Sequence, residues 1–217
     1  LILDTAEQKG TGKWTSQVAL DLGVTAPTIA DAVFARTVSA IKAERVAASA
    51  VLIGPTPQAS QDAARLLPQI RHALLAAKVC AYAQGFALMR AADREYGWGL
   101  SFARIASVWR AGCIIRARLL GDMRRAFDAN ADIPNLLVDP HFAGLMAGAQ
   151  QDLREVVARA ALQGVAVPAF MSALSYYDAY RSACLPANLL QAQRDYFGAH
   201  TYQRTDRPGK FHTRWNG

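Results

Sequence analysis

The sequence predicts an all-α fold: a multi-helix domain with one long central helix and an extended C-terminal tail. Three observations lead there. Convincing β-alternation is absent, and Val165-Ala166-Val167 is too short to count as a strand. Proline at the start of a candidate helix and glycine near its end recur along the chain, with Pro27, Pro140, Pro168 and Pro186 as starts and Gly23, Gly164 and Gly198 as ends. Between about Leu67 and Tyr96, finally, Ile70, Leu74, Leu75, Val79, Tyr82, Phe86 and Met89 recur at helical spacing. A segment of roughly 28 residues spans about 42 Å as a helix, enough to organise a whole domain.

Taken in order, residues 1 to 13 read as a lead-in and a basic glycine turn, Lys9-Gly10-Thr11-Gly12-Lys13. Trp14 or Thr15 opens a short helix that Gly23 closes. Pro27 opens the next, over about 28–36, with Ile29, Val33 and Phe34 at helical spacing and Arg36 near its end. A third helix covers about 38–51, broken by Gly54-Pro55-Thr56-Pro57. The long central helix ends at Gly97-Trp98-Gly99, and Ser101 is a suitable N-cap for a helix over 102–110. Gly112 to Phe127 reads as another helix, and Pro134 to Asp139 as irregular. Pro140 leads into a helix through 150–163, Pro168 opens one that reaches Arg181, and Pro186 opens the last, to about Phe197. Residues 199–217 are polar and form the tail, so the expected division is a helical domain at 1–198 and a tail at 199–217.

At 217 residues and 52% hydrophobic, the chain should bury roughly 70% of its unfolded surface and needs neither disulfide nor metal to fold. Its net charge of +7 and pI near 9.6 favour an anionic partner. The odd count of three cysteines, Cys80, Cys113 and Cys184, contains no C-x-x-C. The expectation is reduced, mostly buried thiols in a cytoplasmic protein. The most apolar long stretch, His72 to Ala92, carries Lys78, Gln84 and Arg90, so no membrane segment is expected. Leu1-Ile2-Leu3-Asp4 starts abruptly without methionine, which suggests the C-terminal part of a longer protein.

The glycine turn suits an anion, since N–H groups and the dipole of a helix start point outward there beside Lys9, Lys13 and the hydroxyl of Thr11. A plain N-cap loop with a solvated lysine fits the same residues. The P-loop pattern fails, because position 7 is Glu and Trp14 follows Lys13. The G-x-G-x-x-G pattern fails at Thr15 and at Phe102. His72, His141, His200 and His212 lack metal-ligand spacing. In Arg194-Asp195-Tyr196-Phe197-Gly198-Ala199-His200, six residues of continuous helix rotate by about 240°, so Arg194 and His200 would not share a face. If Gly198 ends the helix, His200 is free to turn back toward Arg194 as an anion clamp; a C-terminal cap with a cation near the dipole is the plainer alternative. Tyr202, Phe211 and Trp215, interleaved with basic residues, are compatible with nucleic acid, but the charges line no single helix face, and no nucleic-acid partner is expected.

Several segments together closely resemble the C-terminal domain of the decarboxylating 6-phosphogluconate dehydrogenases. They are Lys9-Gly10-Thr11-Gly12-Lys13-Trp14-Thr15, Ala19-Leu20-Asp21-Leu22-Gly23-Val24, Val33-Phe34-Ala35-Arg36, and Pro186-Ala187-Asn188-Leu189 through Gln193 to Tyr202. The resemblance implies an N-terminal NADP-binding Rossmann domain, absent from these residues, then an all-helical domain and a tail that threads into the partner of a homodimer. It implies oxidation of the 3-hydroxyl of 6-phosphogluconate, loss of CO2 and tautomerisation to ribulose 5-phosphate, in the pentose phosphate pathway. It assigns substrate-phosphate binding to Lys9, Thr11 and Arg36 of one subunit and to Arg194 and His200 of the other. The family's catalytic lysine and glutamate and its NADP site lie upstream of the glycine turn. No catalytic, cofactor-binding or metal residue is therefore expected within this chain, and the chain alone is expected to be inactive. A related β-hydroxyacid dehydrogenase would lose the phosphate set, all five of whose residues are present. A stand-alone basic helical module for nucleic acid or another phosphorylated ligand is the remaining alternative.

Overall fold

The computed structural model describes residues 1–59, 62–110 and 117–215. Helices α1 (Thr11–Asp21), α2 (Pro27–Ala40), α3 (Lys42–Ser49), α4 (Ala63–Tyr96), α5 (Phe102–Trp109) and α6 (Leu119–Ala129) are followed by a 3-10 turn at Leu136–Val138. Helices α7 (Pro140–Leu162), α8 (Pro168–Arg181) and α9 (Ala187–Gly198) complete the chain. Among the described residues there is no strand, only an isolated antiparallel bridge between Tyr202 and Phe211. No described helix is long and apolar enough to cross a membrane. The chain forms two compact units, Leu1–Tyr177 and Asp178–Gly217.

At the starts of α1 and α4, which differ from the sequence expectation, a local bond explains the difference. Helix α1 starts at Thr11 rather than Trp14, because Gly10 takes a left-handed conformation (φ 102°) and its carbonyl accepts the Trp14 N–H at 2.9 Å. Helix α2 continues four residues past Arg36, and α3 begins at Lys42 and ends at Ser49, two residues short of the expected 51. Helix α4 begins one turn early, at Ala63, where the Asp62 carboxylate accepts the Arg65 N–H at 3.0 Å. It carries Pro68 in its second turn, which forgoes one intrahelical bond. Its 34 residues correspond to about 51 Å. Ser101 caps α5 and Asp139 caps α7, whose 23 residues run unbroken from Pro140. Asn135, expected in an irregular stretch, caps the 3-10 turn through Leu137 N–H. Of the helix expected over 112–127, the part from Gly112 to Arg116, including Cys113, lies outside the described residues. Of the other cysteines, Cys80 is buried but Cys184 is exposed, because it sits in the loop between α8 and α9 rather than on a core-facing helix stripe.

In the first unit the most extensive pairing is α4 with α7. The buried face of α4 over its middle turns is built mostly from small residues, Ala73, Ala76, Ala77, Cys80 and Ala83, with Val79 among them, and Phe142, Met146, Ala149, Leu153 and Val156 of α7 belong to the same core. Burial pushes the Cys80 thiol up to about 12, so it stays protonated and inert. Farther along α4, Phe86 touches Phe102 of α5 edge-on at 6.1 Å, Trp109 at 5.7 Å and Phe127 of α6 at 4.7 Å. These rings fasten the α5–α6 pair to the central helix.

The α1–α2 pair joins α4 by other means. Ala19, Ala26 and Leu88 form a second small apolar cluster. Next to it, fully buried Gln84 of α4 accepts the Thr28 N–H at 3.0 Å and donates to the Thr28 hydroxyl at 2.8 Å. Gln84 thus acts as a long-range cap for α2, whose own N-cap, Ala26, has no side-chain acceptor. Gln84→Leu keeps the volume but strands both Thr28 groups in an apolar setting. It is expected to cost about 1–3 kcal/mol in urea unfolding; an unchanged midpoint would mean that this pair does not hold α2 in place.

Candidate anion-binding site

The first site residues follow from how α1 begins. Gly10 offers no side-chain cap, so the first N–H groups of α1 face outward without a protein acceptor from the cap position. Lys9, Thr11 and Lys13 surround this turn and are all exposed. Neither lysine has an ion-pair partner among the described residues.

Helix α2 supplies the next component. A Cβ at Gly12 would lie 2.9 Å from Arg36 Nη2 and 2.9 Å from Val33 Cγ2. The two helices therefore meet at Gly12, and the Arg36 guanidinium rests against the first turn of α1. Only a residue without a side chain permits that approach. Arg36 is half-buried; its Nε donates within its own helix to the Ala32 carbonyl, at a long 3.3 Å. Arg36 also lines an open pocket of roughly 520 Å³ together with Thr5, Glu7, Gln8 and Thr37.

The lead-in that walls this pocket is held by contacts with no local sequence signal. Asp4 pairs with Lys42 Nζ at 2.7 Å and Arg45 Nη1 at 3.0 Å, while Ala6 N–H donates to the Ser39 hydroxyl at 2.8 Å. The hydrogen bond from Lys42, then that from Arg45, holds the Asp4 carboxyl down at about 2.

Arg194 and His200 belong to the second unit. Both are exposed on α9 and the turn after it. The chain does turn back after α9, but not because Gly198 takes the left-handed cap. Gly198 is the last helical residue, and Ala199 (φ 51°) and Thr201 (φ 62°) take the left-handed conformation instead. Thr201 is β-branched, so its conformation is strained, costing about 1–3 kcal/mol. The glycine serves a different need: a Cβ at position 198 would lie 2.9 Å from His200 Nε2 and 3.0 Å from Cδ2. The imidazole folds back onto the helix end in space that a methyl at 198 would make it give up. Arg194 Nη1 donates to Gln191 Oε1 at 3.1 Å.

Asp195, which sequence reasoning passed over, is the centre of this unit. It is fully buried. Its Oδ1 accepts from Thr201 N at 3.0 Å and faces His212 Nδ1 at 2.9 Å; its Oδ2 accepts from Thr213 N and Trp215 Nε1, both at 3.0 Å. Burial pushes this carboxyl up, but the bonds from Thr213, His212 and Trp215 outweigh burial and hold it at about 2. The non-helical tail thereby doubles back on α9, helped by two backbone bonds between Tyr202 and Phe211. The only sequence hint was a lone carboxylate between exposed Arg194 and Tyr196. No group of three or more His, Cys, Asp or Glu residues among those described is placed to hold a metal.

Residues 1–215 match the family model described as 6-phosphogluconate dehydrogenase, C-terminal domain. The chain is 55% identical over 216 residues to the NADP(+)-dependent, decarboxylating 6-phosphogluconate dehydrogenase of Bacillus subtilis, a match covering 99% of this chain and 46% of that protein. It is 55% identical over 215 residues to the decarboxylating 6-phosphogluconate dehydrogenase of Salmonella typhimurium, with the same coverage. The chain thus spans about half the length of these relatives. Among solved structures, Plasmodium falciparum 6-phosphogluconate dehydrogenase, studied in its apo form and in complex with NADP+ and with 6-phosphogluconate, superposes with a TM-score of 0.89 at 38% identity. That match covers 99% of this chain and 46% of the other.

Two measurements check this geometry. Gly→Ala inside a helix ordinarily gains about 1 kcal/mol, but at Gly12 the new methyl meets stiff, buried Val33. Gly12→Ala is therefore expected to lower stability, by about 1 kcal/mol; a gain would contradict the close crossing. For Asp195, a folded-state pKa below the ordinary 3.8 means stability that is present above pH 4 and lost as pH falls from about 4 to about 2. Asp4 and Asp206 also have lowered carboxyls, so the Asp195 share is the part of the acid slope that Asp195→Asn removes, followed by the indole N–H resonance of Trp215. An identical slope in both proteins would count against the buried carboxylate as the tail's anchor.

Proposed function

Because this chain belongs to the 6-phosphogluconate dehydrogenase C-terminal domain family, we propose that it is the substrate-phosphate and dimerisation part of an NADP-dependent, decarboxylating 6-phosphogluconate dehydrogenase. The whole enzyme converts 6-phosphogluconate to ribulose 5-phosphate and CO2 in the cytoplasm. NADP and the groups that move protons and hydride belong to a Rossmann domain that precedes residue 1. The helical domain, 1–198, supplies Lys9, Thr11 and Arg36 to its own subunit's site. The tail, 199–217, and the end of α9 carry Arg194 and His200 into the site of the partner subunit.

One observation carries this reading: the contact at Gly12 sets the Arg36 guanidinium beside the uncapped first turn of α1. A phosphate there meets backbone N–H groups, the positive end of the helix dipole, a hydroxyl, an ammonium and a planar guanidinium fork. Dimerisation through α9 is supported by its large exposed apolar residues, Leu189, Leu190 and Phe197, the last of them 75% exposed. The dispersed basic residues and the match over 1–215 do not favour a stand-alone nucleic-acid module.

The chemistry belongs to other residues, so loss of a phosphate ligand removes binding rather than turnover. In the full-length protein carrying this sequence, Arg36→Ala and Arg194→Ala are each expected to raise KM for 6-phosphogluconate by about tenfold to a hundredfold, with kcat within a few-fold, since a hydrogen bond to a charged group contributes about 1.5–3 kcal/mol. Unchanged KM and kcat would overturn the assignment. The 217-residue chain by itself is expected not to reduce NADP+ with 6-phosphogluconate, and measurable turnover would contradict the placement of the catalytic groups upstream.

A further inference from the structure

We infer that Gln191 and Asp195, one turn apart on α9, are the positioning residues that aim Arg194 and His200 at the substrate phosphate; this rests on the reading of those two side chains as phosphate ligands. Both side chains grip the same backbone residue. Asp195 Oδ1 takes the Thr201 N–H at 3.0 Å, and Gln191 Nε2 donates to the Thr201 carbonyl. Thr201 is thereby held at both ends in a conformation that a β-branched residue does not choose by itself.

His200 lies between left-handed Ala199 and Thr201, so fixing Thr201 fixes the direction in which the imidazole leaves the backbone, back over Gly198. The same Gln191 amide accepts from Arg194 Nη1 with its oxygen at 3.1 Å. One side-chain amide therefore ties the guanidinium to the turn that carries the imidazole. Neither Gln191 nor Asp195 needs to touch substrate. Asp195 is fully buried, and its oxygens are already occupied by Thr201, His212, Thr213 and Trp215. Their role is to remove the freedom that an exposed arginine and an exposed histidine would otherwise lose on binding.

The chemistry of the frame makes it testable by near-isosteric changes. Gln191→Met keeps length but breaks both the Arg194 and the Thr201 bonds. Asp195→Asn places an NH2 against a pair of N–H donors and loses one side of the carboxylate. Trp215→Phe removes one donor from Oδ2 and leaves the Oδ1–Thr201 bond untouched, so it controls for general loosening of the tail.

In the full-length protein carrying this sequence, steady-state kinetics with 6-phosphogluconate, and inhibition by inorganic phosphate competing with it, give the answer. Gln191→Met and Asp195→Asn are expected to raise KM and the phosphate Ki together, about five- to tenfold, with kcat within twofold; Trp215→Phe should leave all three within twofold. A merely structural role would lower the active fraction, and so kcat, without moving KM. Should Asp195→Asn fail to fold, Gln191→Met decides alone. The inference is overturned if KM and Ki stay unchanged in Gln191→Met, or if Trp215→Phe raises them equally, while Arg194→Ala still raises them. If Arg194→Ala also leaves them unchanged, the phosphate-ligand reading fails and the inference with it.

Discussion

A helix of 34 residues stays ordered along its length only if its neighbours can come close to it, and here the side chains of α4 set that distance. Over its middle turns the buried positions are Ala73, Ala76, Ala77, Val79, Cys80 and Ala83, all but Val79 smaller than a valine. Small side chains on that stripe leave room for the larger residues of α7, so the core fills from one side. Where the α4 face switches to Gln84, Phe86 and Leu88, it changes partners. The aromatic ring takes up α5 and α6, and the amide and Leu88 take up the α1–α2 pair. The candidate phosphate turn is carried on that last pair, so its foundation is a polar bond in an apolar setting.

The two candidate anion-binding segments, one in each unit, use glycine in a similar way. In each, the space that glycine leaves is used by an approaching side chain rather than by the glycine's own backbone angle, strictly at Gly12, where stiff Val33 also stands close, and more loosely at Gly198. Gly12 sits inside a helix and Gly198 is the last residue of one; each leaves room for a nitrogen-bearing side chain to lie against a helix end, the Arg36 guanidinium in one case and the His200 imidazole in the other. The positive φ values that a turn requires fall elsewhere, on Gly10 in the first unit and on Ala199 and Thr201 in the second. Strain at the latter pair is opposed by Asp195 and Gln191, whose bonds to Thr201 have no purpose in an ordinary helix cap.

Charge is used differently in the two units. Asp4 is exposed and ties the lead-in to Lys42 and Arg45, a contact of the kind that salt screens readily. Asp195 is buried among donors and takes the place of a hydrophobic core for a segment that has none. A short polar tail cannot bury enough apolar surface to order itself; a carboxylate satisfied on both oxygens gives it a single path.

Local patterns, short in range, were enough for much of this fold. The helical class, the exact span of α8, the Ser101 cap and the long central helix all come from periodicity and from proline and glycine placement, which act within a few residues. The same range explains the misreadings. Periodicity leaves Thr11 outside α1, carries no signal that Asp62 is a cap, and ends α9 near Phe197, whereas Gly198 is still helical and the left-handed turn falls on Ala199. Lys9, Thr11, Arg194 and His200 are legible as anion ligands from local residue types and Arg36 from the motif resemblance, but nothing local in the sequence reveals that Gly12 faces Arg36, that Gln84 caps α2 across 56 positions, or that Asp195 gathers donors as distant as Trp215. Those contacts join residues far apart in the chain, and their energies depend on burial and on the approach of backbone to side chain. Both exist only once the helices have packed, so the tertiary structure alone decided which glycine faces a cation and which carboxylate holds the tail.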